Sequence, residues 1–438
     1  MNSGDHAPHP ARWKALIAAW LGWCFDGLDG YLYVIVAIPF VTQLLENQYG
    51  PGNIPPGQVA AKAALIQCVF LVGWAVGGAV FGRIGDRLGR ARTLTITVLT
   101  YAIFTGLAFF AQSWWHLLIF RFVAALGIGG EWAAGSALVS EVLHRKHRAW
   151  ASATLQSGYM VGCILAVFTA KVFSQIPVGD KIGLEPRWVF LVGVAPALLT
   201  LWIRAAVPEP EHWTRAKSKE PTPPLSALFR GHLARVTLLT TALTSIALTT
   251  VWAFLYFGPQ LLRQLDGIPP EKRTAFASDV SVAYLTVNII ANFAATYTAR
   301  FLGYRAAFLI FMVGALATFA FAFGHRYAPA IAPALTKDNA LGLYCLVAFF
   351  GLGLFGMFPL YIPPLFPTLV RTLGAGFTYN VGRLFSAAGA LGGGLIAESV
   401  GYDGAIFWTA MLYIPGLIVC CFIPEPKEHA EPDPEVRV

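Results

Sequence analysis

The sequence predicts an all-α membrane protein with twelve transmembrane helices in two six-helix halves. Of its 438 residues, 56% are hydrophobic and only 12% are charged, whereas roughly 25% are charged in an ordinary soluble protein. About 20 consecutive apolar residues span the hydrocarbon core as a helix. Twelve segments of that kind fill most of the chain, at roughly 13–38, 61–83, 93–112, 115–143, 148–174, 187–207, 234–264, 276–299, 305–324, 339–366, 372–399 and 402–423.

Repeated motifs indicate that one six-helix unit occurs twice. Segment six ends in "VPEP" (207–210) and segment twelve in "IPEP" (423–426), at matching points of the two halves. The loop "DRLGRA" (86–91) has a weaker counterpart in "RFLGYRA" (300–306). An even number of spans in each half makes the repeats parallel, as in transporters that rock two halves around a central site.

The domain boundaries follow from the segment between the repeats. "PEPEHWTRAKSKEPTPPLSALFR" (208–230) is rich in proline and charge, which is typical of a linker between domains. The sequence therefore predicts an N-terminal bundle at 1–207, a cytoplasmic linker at 208–232, and a C-terminal bundle at 233–438 with a short cytoplasmic tail.

The formal charge of +8 reflects the orientation of the chain in the membrane and does not indicate a nucleic-acid partner. Most of the 31 Lys and Arg residues fall in the even-numbered loops, such as "GRIGDRLGRAR", "HRKHR" and "RAKSK". This is the positive-inside bias. It predicts a multi-pass protein of the inner or plasma membrane with both termini in the cytoplasm, in contact with the lipid bilayer and functional as a monomer.

Enzyme chemistry has no support in the sequence. The six cysteines lie in apolar segments without CxxC spacing and read as small hydrophobic residues. No nucleophile, metal cluster or cofactor motif is present, so we expect neither a metal nor a cofactor. A channel is disfavoured because duplicated halves suit rocking, and a sensor because no output domain is present.

Strongly polar side chains at membrane depth mark the helices that face a shared cavity, since lipid offers such groups no partners. Segments three, nine and twelve carry no charged residue in their interiors, and segment six has only Arg204 near its end. The polar residues are Asp26 and Asp29 in segment one, Arg121 and Glu131 in four, Gln156 in five, Gln260 in seven, Asn288 and Asn292 in eight, and Asn380 and Arg383 in eleven.

Helical spacing gives this set a common depth. Asp26, Glu131, Asn288 and Arg383 all fall near the middle of their segments by count. Asp26 and Asp29 are three residues apart, so they project from one helix face. Two carboxylates this close disfavour simultaneous ionisation in a low dielectric, and the pair is predicted to hold a proton.

The loop "GRIGDRLGRAR" (82–92) resembles the signature of the major facilitator superfamily, a glycine and a spacer before Asp-Arg-x-Gly-Arg between helices two and three. Residues 127–162 and 365–383 are similar to the matching stretches of proton-coupled symporters for organic acids, including sialic acid and lactate carriers. "FDGLDGYLY" (25–33) resembles the acidic first-helix motif of those symporters.

The resemblance implies a gate at the cytoplasmic side. Asp86, with Arg87 and Arg90, would hold that side closed, because the aspartate lies near the N-terminus of helix eleven, where the helix dipole favours an anion. Glu141 and Arg148 would join the same gate. The counterpart loop in the second half has no aspartate, so gating should depend more on the first half.

The hypothesis is a secondary transporter that moves a small organic anion, a carboxylate, by proton symport with alternating access. Arg383 would bind the carboxylate as a bidentate donor, with hydrogen bonds from Asn380, Asn288, Asn292, Gln156 and Gln260. Asp26, Asp29 and Glu131 would hold the proton, with Arg121 tuning them. The three acids, Asp26, Asp29 and Glu131, and the two bases, Arg121 and Arg383, leave one uncompensated negative charge, which one proton neutralises. An incoming monoanion would restore the imbalance and a further proton would cancel it, so a proton and a monoanion can travel together.

Other readings stay open at this point. A proton-coupled carrier of sugars or polyols would use Arg383 only as an ion-pair partner. A carrier could instead drive efflux by proton antiport. Asp26, Arg121 and Glu131 could form a structural ion-pair network, and the buried amides could form interhelical hydrogen bonds.

Overall fold

The computed structural model describes residues 9–143, 145–173, 175–178, 181–198, 202, 207, 209, 211–219 and 223–426 of the chain. The first half begins with five long helices. They are α1 (His9–Tyr49), α2 (Gln58–Leu88), α3 (Arg90–Ala108), α4 (Trp114–Val142) and α5 (Arg145–Phe173). A short antiparallel ladder of β1 (Pro177–Val178) and β2 (Lys181–Ile182) follows, then α6 (Val189–Val192).

The second half follows the linker helix α7 (Glu211–Lys219). Its helices are α8 (Gly231–Arg263), α9 (Arg273–Leu302), α10 (Tyr304–Phe323), α11 (Ala340–Val347), α12 (Phe358–Tyr361), α13 (Arg371–Ala410) and α14 (Tyr413–Phe422). Between α11 and α12 the chain stays helical, as a π-turn at Ala348–Leu352 and a 3₁₀ turn at Gly353–Met357. These pieces together form predicted segment ten.

Ten helical spans among the described residues are long and apolar enough to cross a membrane. Predicted segments eleven and twelve meet inside α13, where Gly401 has a φ of 79° and turns the chain. Positive φ is readily adopted only by glycine. Segment six is described through the shorter apolar helical stretch Pro186–Leu198, and several of its later residues lie outside the described ranges.

Glycines let helices approach closely within the first half. A Cβ atom added to Gly162 of α5 would lie 1.8 Å from the Cys24 carbonyl oxygen of α1, and one added to Gly77 of α2 would lie 2.1 Å from the Leu126 carbonyl oxygen of α4. No side chain fits at such distances. These contacts hold α1 against α5 and α2 against α4, which positions the acidic residues of α1 and α4 side by side.

The two halves meet through α2 with α13 and α5 with α9. We call the end of the bundle that carries α7 and residues 86–92 the linker end. There Ser152 on α5 donates a hydrogen bond to the Gly356 carbonyl oxygen at 2.8 Å. The halves are therefore in contact at the linker end, and the division at 207 and 232 stays a prediction.

Candidate functional site

Asp26 and Glu131 form a carboxyl pair at the centre of the first half. Both side chains are fully buried, and their carboxyl groups lie within hydrogen-bonding reach of each other. None of their four oxygens accepts a hydrogen bond from an N–H or O–H group of the described residues. Gly22 on α1 makes room for Glu131, since an added Cβ would lie 2.3 Å from Glu131 Oε1.

Asp29 is paired with Arg121, whereas the sequence predicted that it shares a proton with Asp26. Arg121 Nη1 donates to both Asp29 carboxylate oxygens at 2.8 Å, and the Thr105 hydroxyl donates to Asp29 Oδ1 at 2.6 Å. Arg121 also lies over the Phe70 ring, at 4.3 Å from its centroid. The charges of Asp29 and Arg121 thus cancel each other, as in the structural network that the sequence left open for Arg121.

Arg383 on α13 is a buried cation of the opposite half. Its guanidinium lies over the Trp74 ring of α2 at 4.0 Å and over the Tyr379 ring at 4.9 Å. Asn380 accepts a hydrogen bond from Arg383 Nη1, whereas Arg383 Nε has no acceptor among the described residues. No carboxylate of the described residues forms a salt bridge with Arg383.

Five aromatic side chains surround these charged groups, and we call them the aromatic cage: Trp23, Trp74, Trp132, Tyr159 and Tyr379. Trp132 stacks on Tyr379 with ring centroids 3.8 Å apart, which joins α4 to α13 across the halves. Trp23 lies 5.0 Å from Tyr159 and 6.3 Å from Trp74. The three indole N–H groups have no acceptor among the described residues. The cage therefore presents apolar faces with free hydrogen-bond donors.

The predicted amides fall into three places. Asn380 donates to the Gly129 carbonyl oxygen of α4 at 3.2 Å, and Gln156 lies beside the Tyr379 side chain. Asn288 and Asn292 are buried on α9, and their amide groups have no partner among the described residues. Gln260 lies apart, in a cavity near the end of α8, where it accepts a hydrogen bond from Arg263.

At the linker end, Asp86 joins α2 to the N-terminus of α13. Its carboxylate accepts hydrogen bonds from the backbone N–H groups of Thr372 at 3.2 Å and Leu373 at 2.9 Å. These N–H groups lack partners inside the helix. A carboxylate is favoured there by the helix dipole as well.

Arginines complete this contact. Arg90 lies 3.3 Å from Asp86 and donates to Glu141 at 3.1 Å and to the Thr368 carbonyl oxygen at 2.6 Å. Arg371 of the second half also donates to Glu141, at 3.0 Å. We call Asp86, Arg90, Glu141 and Arg371 the latch cluster.

Two predicted gating residues lie beside the latch cluster. Arg87 is exposed, and Arg148 donates to the Leu143 carbonyl oxygen at 3.3 Å. Arg371 makes the equivalent bond to Phe366 at 3.3 Å, which makes the two arginines that open segments five and eleven geometrically alike. Arg371 in addition forms the salt bridge with Glu141.

The linker helix α7 docks on the latch cluster through Trp213. The Trp213 indole N–H donates to the Asp86 carbonyl oxygen at 3.0 Å, and its ring lies 5.5 Å from the Arg90 guanidinium. Lys217 donates to the Arg87 carbonyl oxygen at 2.6 Å. The linker is thus in contact with the element that joins the halves.

The comparison with known families decides the class of the protein. The family model described as Major Facilitator Superfamily matches residues 19–370. The chain belongs to this superfamily. The superfamily match and relatives named as transporters make it a multi-pass membrane transporter and not an enzyme.

Relatives of this major facilitator transporter are named as carriers of small organic compounds. It is 31% identical over 406 residues to the "Probable 4-methylmuconolactone transporter" of Cupriavidus pinatubonensis, covering 91% of this chain and 87% of that one. It is 28% identical over 399 residues to the sialic acid transporter NanX of Escherichia coli, covering 90% and 89%. The solved structure of the proton:xylose symporter XylE has a TM-score of 0.77 at 16% identity, covering 95% and 96%, and it shows that the fold is shared.

Sequence reasoning missed the aromatic cage, Trp213 and Arg371 as site residues of this transporter. The signals were present. Trp132 follows Glu131 directly, Tyr379 precedes Asn380, and Trp213 is an aromatic residue in a polar linker.

Proposed function

We propose that this transporter carries a small organic anion, a carboxylate, together with a proton, by alternating access of its two halves. The observation that carries the proposal is Arg383, a buried guanidinium without a carboxylate partner among the described residues. An unpaired buried cation is costly. A substrate carboxylate would form the direct salt bridge that Arg383 lacks and accept two parallel N–H bonds.

The aromatic cage supports an anion with an apolar or flat body. Trp74 and Tyr379 present their faces to Arg383, and the indole N–H groups of Trp23, Trp74 and Trp132 offer further donors. Because these N–H groups lack acceptors in the described part of the protein, they favour a ligand whose oxygen atoms can accept hydrogen bonds. The name of one relative supports the same proposal, since sialic acid is a carboxylic acid.

The proton site that we propose is the pair Asp26 and Glu131. Two carboxyl groups within hydrogen-bonding reach, with no other donor, are stable together when one of them holds a proton. The Asp29 and Arg121 charges cancel, so the pair and Arg383 set the charge of the site. With one proton the empty site is neutral, and each further anion can enter with one more proton.

The latch cluster would close the linker end while the opposite end admits substrate. We propose that the linker end faces the cytoplasm, in the inner or plasma membrane, and that the transporter acts as a monomer. Asp86, Arg90, Glu141 and Arg371 would separate when the halves rock.

The test is a proteoliposome uptake screen of radiolabelled mono- and dicarboxylates, with and without an inward proton gradient. We expect at least one carboxylate to accumulate only when the gradient is present. Competition by neutral sugars but not by carboxylates would replace the proposal with a sugar or polyol carrier. Export of the labelled acid that is driven by an inward proton gradient would replace symport with antiport.

A further inference from the structure

A cavity with a few polar side chains lies between the halves at the end opposite the linker. It has a volume of about 380 Å³ and is lined by α1 and α5 of the first half and by α8 and α9 of the second. Pockets of roughly 300 to 1,000 Å³ hold small ligands. The aromatic cage does not contribute to its lining, so this cavity is separate from the site around Arg383.

Arg263 and Gln260 give the cavity an excess of hydrogen-bond donors. Arg263 Nη1 donates to Gln260 Oε1 at 3.2 Å, which leaves the Gln260 amide N–H₂ group to face the cavity. Arg263 Nε has no acceptor, and no carboxylate of the described residues forms a salt bridge with this arginine. The amide is therefore held with its donor side available, beside a cation.

The one carboxylate among the described residues of the lining already has partners. Glu185 pairs with Arg187 at 3.1 Å and accepts a hydrogen bond from Gln43 at 3.1 Å. Ser278 and Ser281 donate to backbone carbonyl oxygens at 2.9 and 2.7 Å. Arg263 is thus a cation of the lining whose charge no described carboxylate neutralises.

A tyrosine pair separates the cavity from the centre of the protein. Tyr31 lines the cavity, and its hydroxyl lies 3.4 Å from the Tyr284 hydroxyl of the opposite half. Tyr31 follows Asp26 by five residues, so it lies about 7.5 Å farther along α1. Both tyrosines are buried. A ligand in the cavity would have to pass this pair to reach Arg383.

We propose that this cavity is a first binding site for the organic anion, in which Arg263 and Gln260 bind the carboxylate before it passes Tyr31 and Tyr284 to Arg383. The inference rests on the proposed function, because it takes the substrate to be an anion. It also assigns Gln260 to this cavity rather than to the central site. Such a site would raise the local concentration of anions at the entrance.

The experiment uses a cysteine at Ser278, which lines the cavity, in the full chain with Cys68, Cys345 and Cys421 replaced by serine. Its modification rates are measured with the anionic reagent MTSES and the cationic reagent MTSET. A unit charge about 5 Å away in water changes each rate about fourfold in opposite directions. We therefore expect Arg263→Gln to lower the ratio of the MTSES rate to the MTSET rate roughly tenfold, and Arg263→Lys to retain this ratio.

Protection of the same cysteine tests binding. Benzoate should slow modification by MTSES, whereas benzyl alcohol, a neutral analogue of similar shape, should not. Protection should survive in Arg383→Lys and disappear in Arg263→Gln. Protection that disappears in Arg383→Lys, an absence of protection by benzoate, or a rate ratio that Arg263→Gln leaves unchanged would each overturn the proposal. Protection without uptake in the proteoliposome screen would instead count against the proposed function alone.

Discussion

Glu209 and Glu425 occupy equivalent positions in the two halves, and each accepts hydrogen bonds from two backbone N–H groups at the start of a helix. Glu209 receives those of Ala91 and Arg92 at the start of α3, at 3.2 and 3.0 Å. Glu425 receives the equivalent N–H groups at the start of α10, at 3.2 and 2.8 Å. Each carboxylate links the end of its six-helix half to the third helix of the same half. This link favours motion of each half as a unit.

Arg383→Lys should lose most substrate binding while the protein still inserts and folds. Lysine keeps the charge but lacks the planar group that stacks on Trp74 and binds a carboxylate with two hydrogen bonds. We expect at least a tenfold loss of affinity, or about 1.4 kcal/mol, measured as substrate-dependent quenching of tryptophan fluorescence. Arg300→Lys, at an exposed position on α9, is the matched control. Near-normal affinity in Arg383→Lys would remove this residue from the binding site.

Asp26→Asn should abolish uptake driven by a proton gradient and retain exchange of substrate for substrate. An amide cannot release a proton to Glu131, but exchange needs no net proton release. The measurement is counterflow against gradient-driven uptake in the same proteoliposomes. Gradient-driven accumulation that persists in Asp26→Asn would move the coupling role to Glu131, whereas loss of both activities would place Asp26 in the binding site.

Asp29→Asn should destabilise the protein, because it leaves Arg121 buried without its partner. Breaking a buried ion pair on one side costs about 3 to 5 kcal/mol. The double variant Asp29→Leu/Arg121→Met should recover much of that loss, since an apolar pair leaves no charge unpaired. Melting temperatures in detergent provide the measurement. If Asp29→Asn melts like the unmodified protein, the pair has no structural role, and a part in proton transfer gains support.

Asp86→Asn should shift the transporter away from the conformation that is closed at the linker end. The variant weakens two hydrogen bonds to the N-terminus of α13, and loss of the charge there is worth about 1 kcal/mol or somewhat more. That shifts a balanced two-state equilibrium by roughly tenfold. Accessibility of engineered cysteines at the two ends measures the shift. The control is Glu209→Gln, which caps a helix within one half and should lower stability without changing the accessibility ratio.

Trp213→Phe should shift the same equilibrium in the same direction, but by less. Phenylalanine keeps a ring beside Arg90 and loses the hydrogen bond to the Asp86 carbonyl oxygen, worth about 1 kcal/mol. The effect should be absent when Asp86→Asn is already present, because Trp213 holds the backbone of Asp86 and acts on the latch cluster through the carboxylate that Asp86→Asn removes. Additive effects of the two substitutions would show that the linker helix does not act through the latch cluster.

Much of the fold was predictable, whereas the partners of the buried charges were not. Apolar length gave the spans, and the motif around Asp86 gave its approach to the second half. Asp26 and Asp29 share a helix face, yet they differ by about 60° around the axis and about 4.5 Å along it. Only the packing of α1 against α4 decides that Asp26 contacts Glu131 and Asp29 contacts Arg121. The sequence-based prediction placed Gln260 with the residues of the central site. In the structure it lies close to Arg263, where α8 ends.

Opposite charges of the central site belong to different halves. Asp26 and Glu131 are carried by α1 and α4, and Arg383 by α13. When the halves rotate against each other, the separation of these charges changes, and the electric dipole of the protein changes with it. A cycle in which one proton and one monoanion cross together moves no net charge, yet each rotation should produce a transient capacitive current across the membrane.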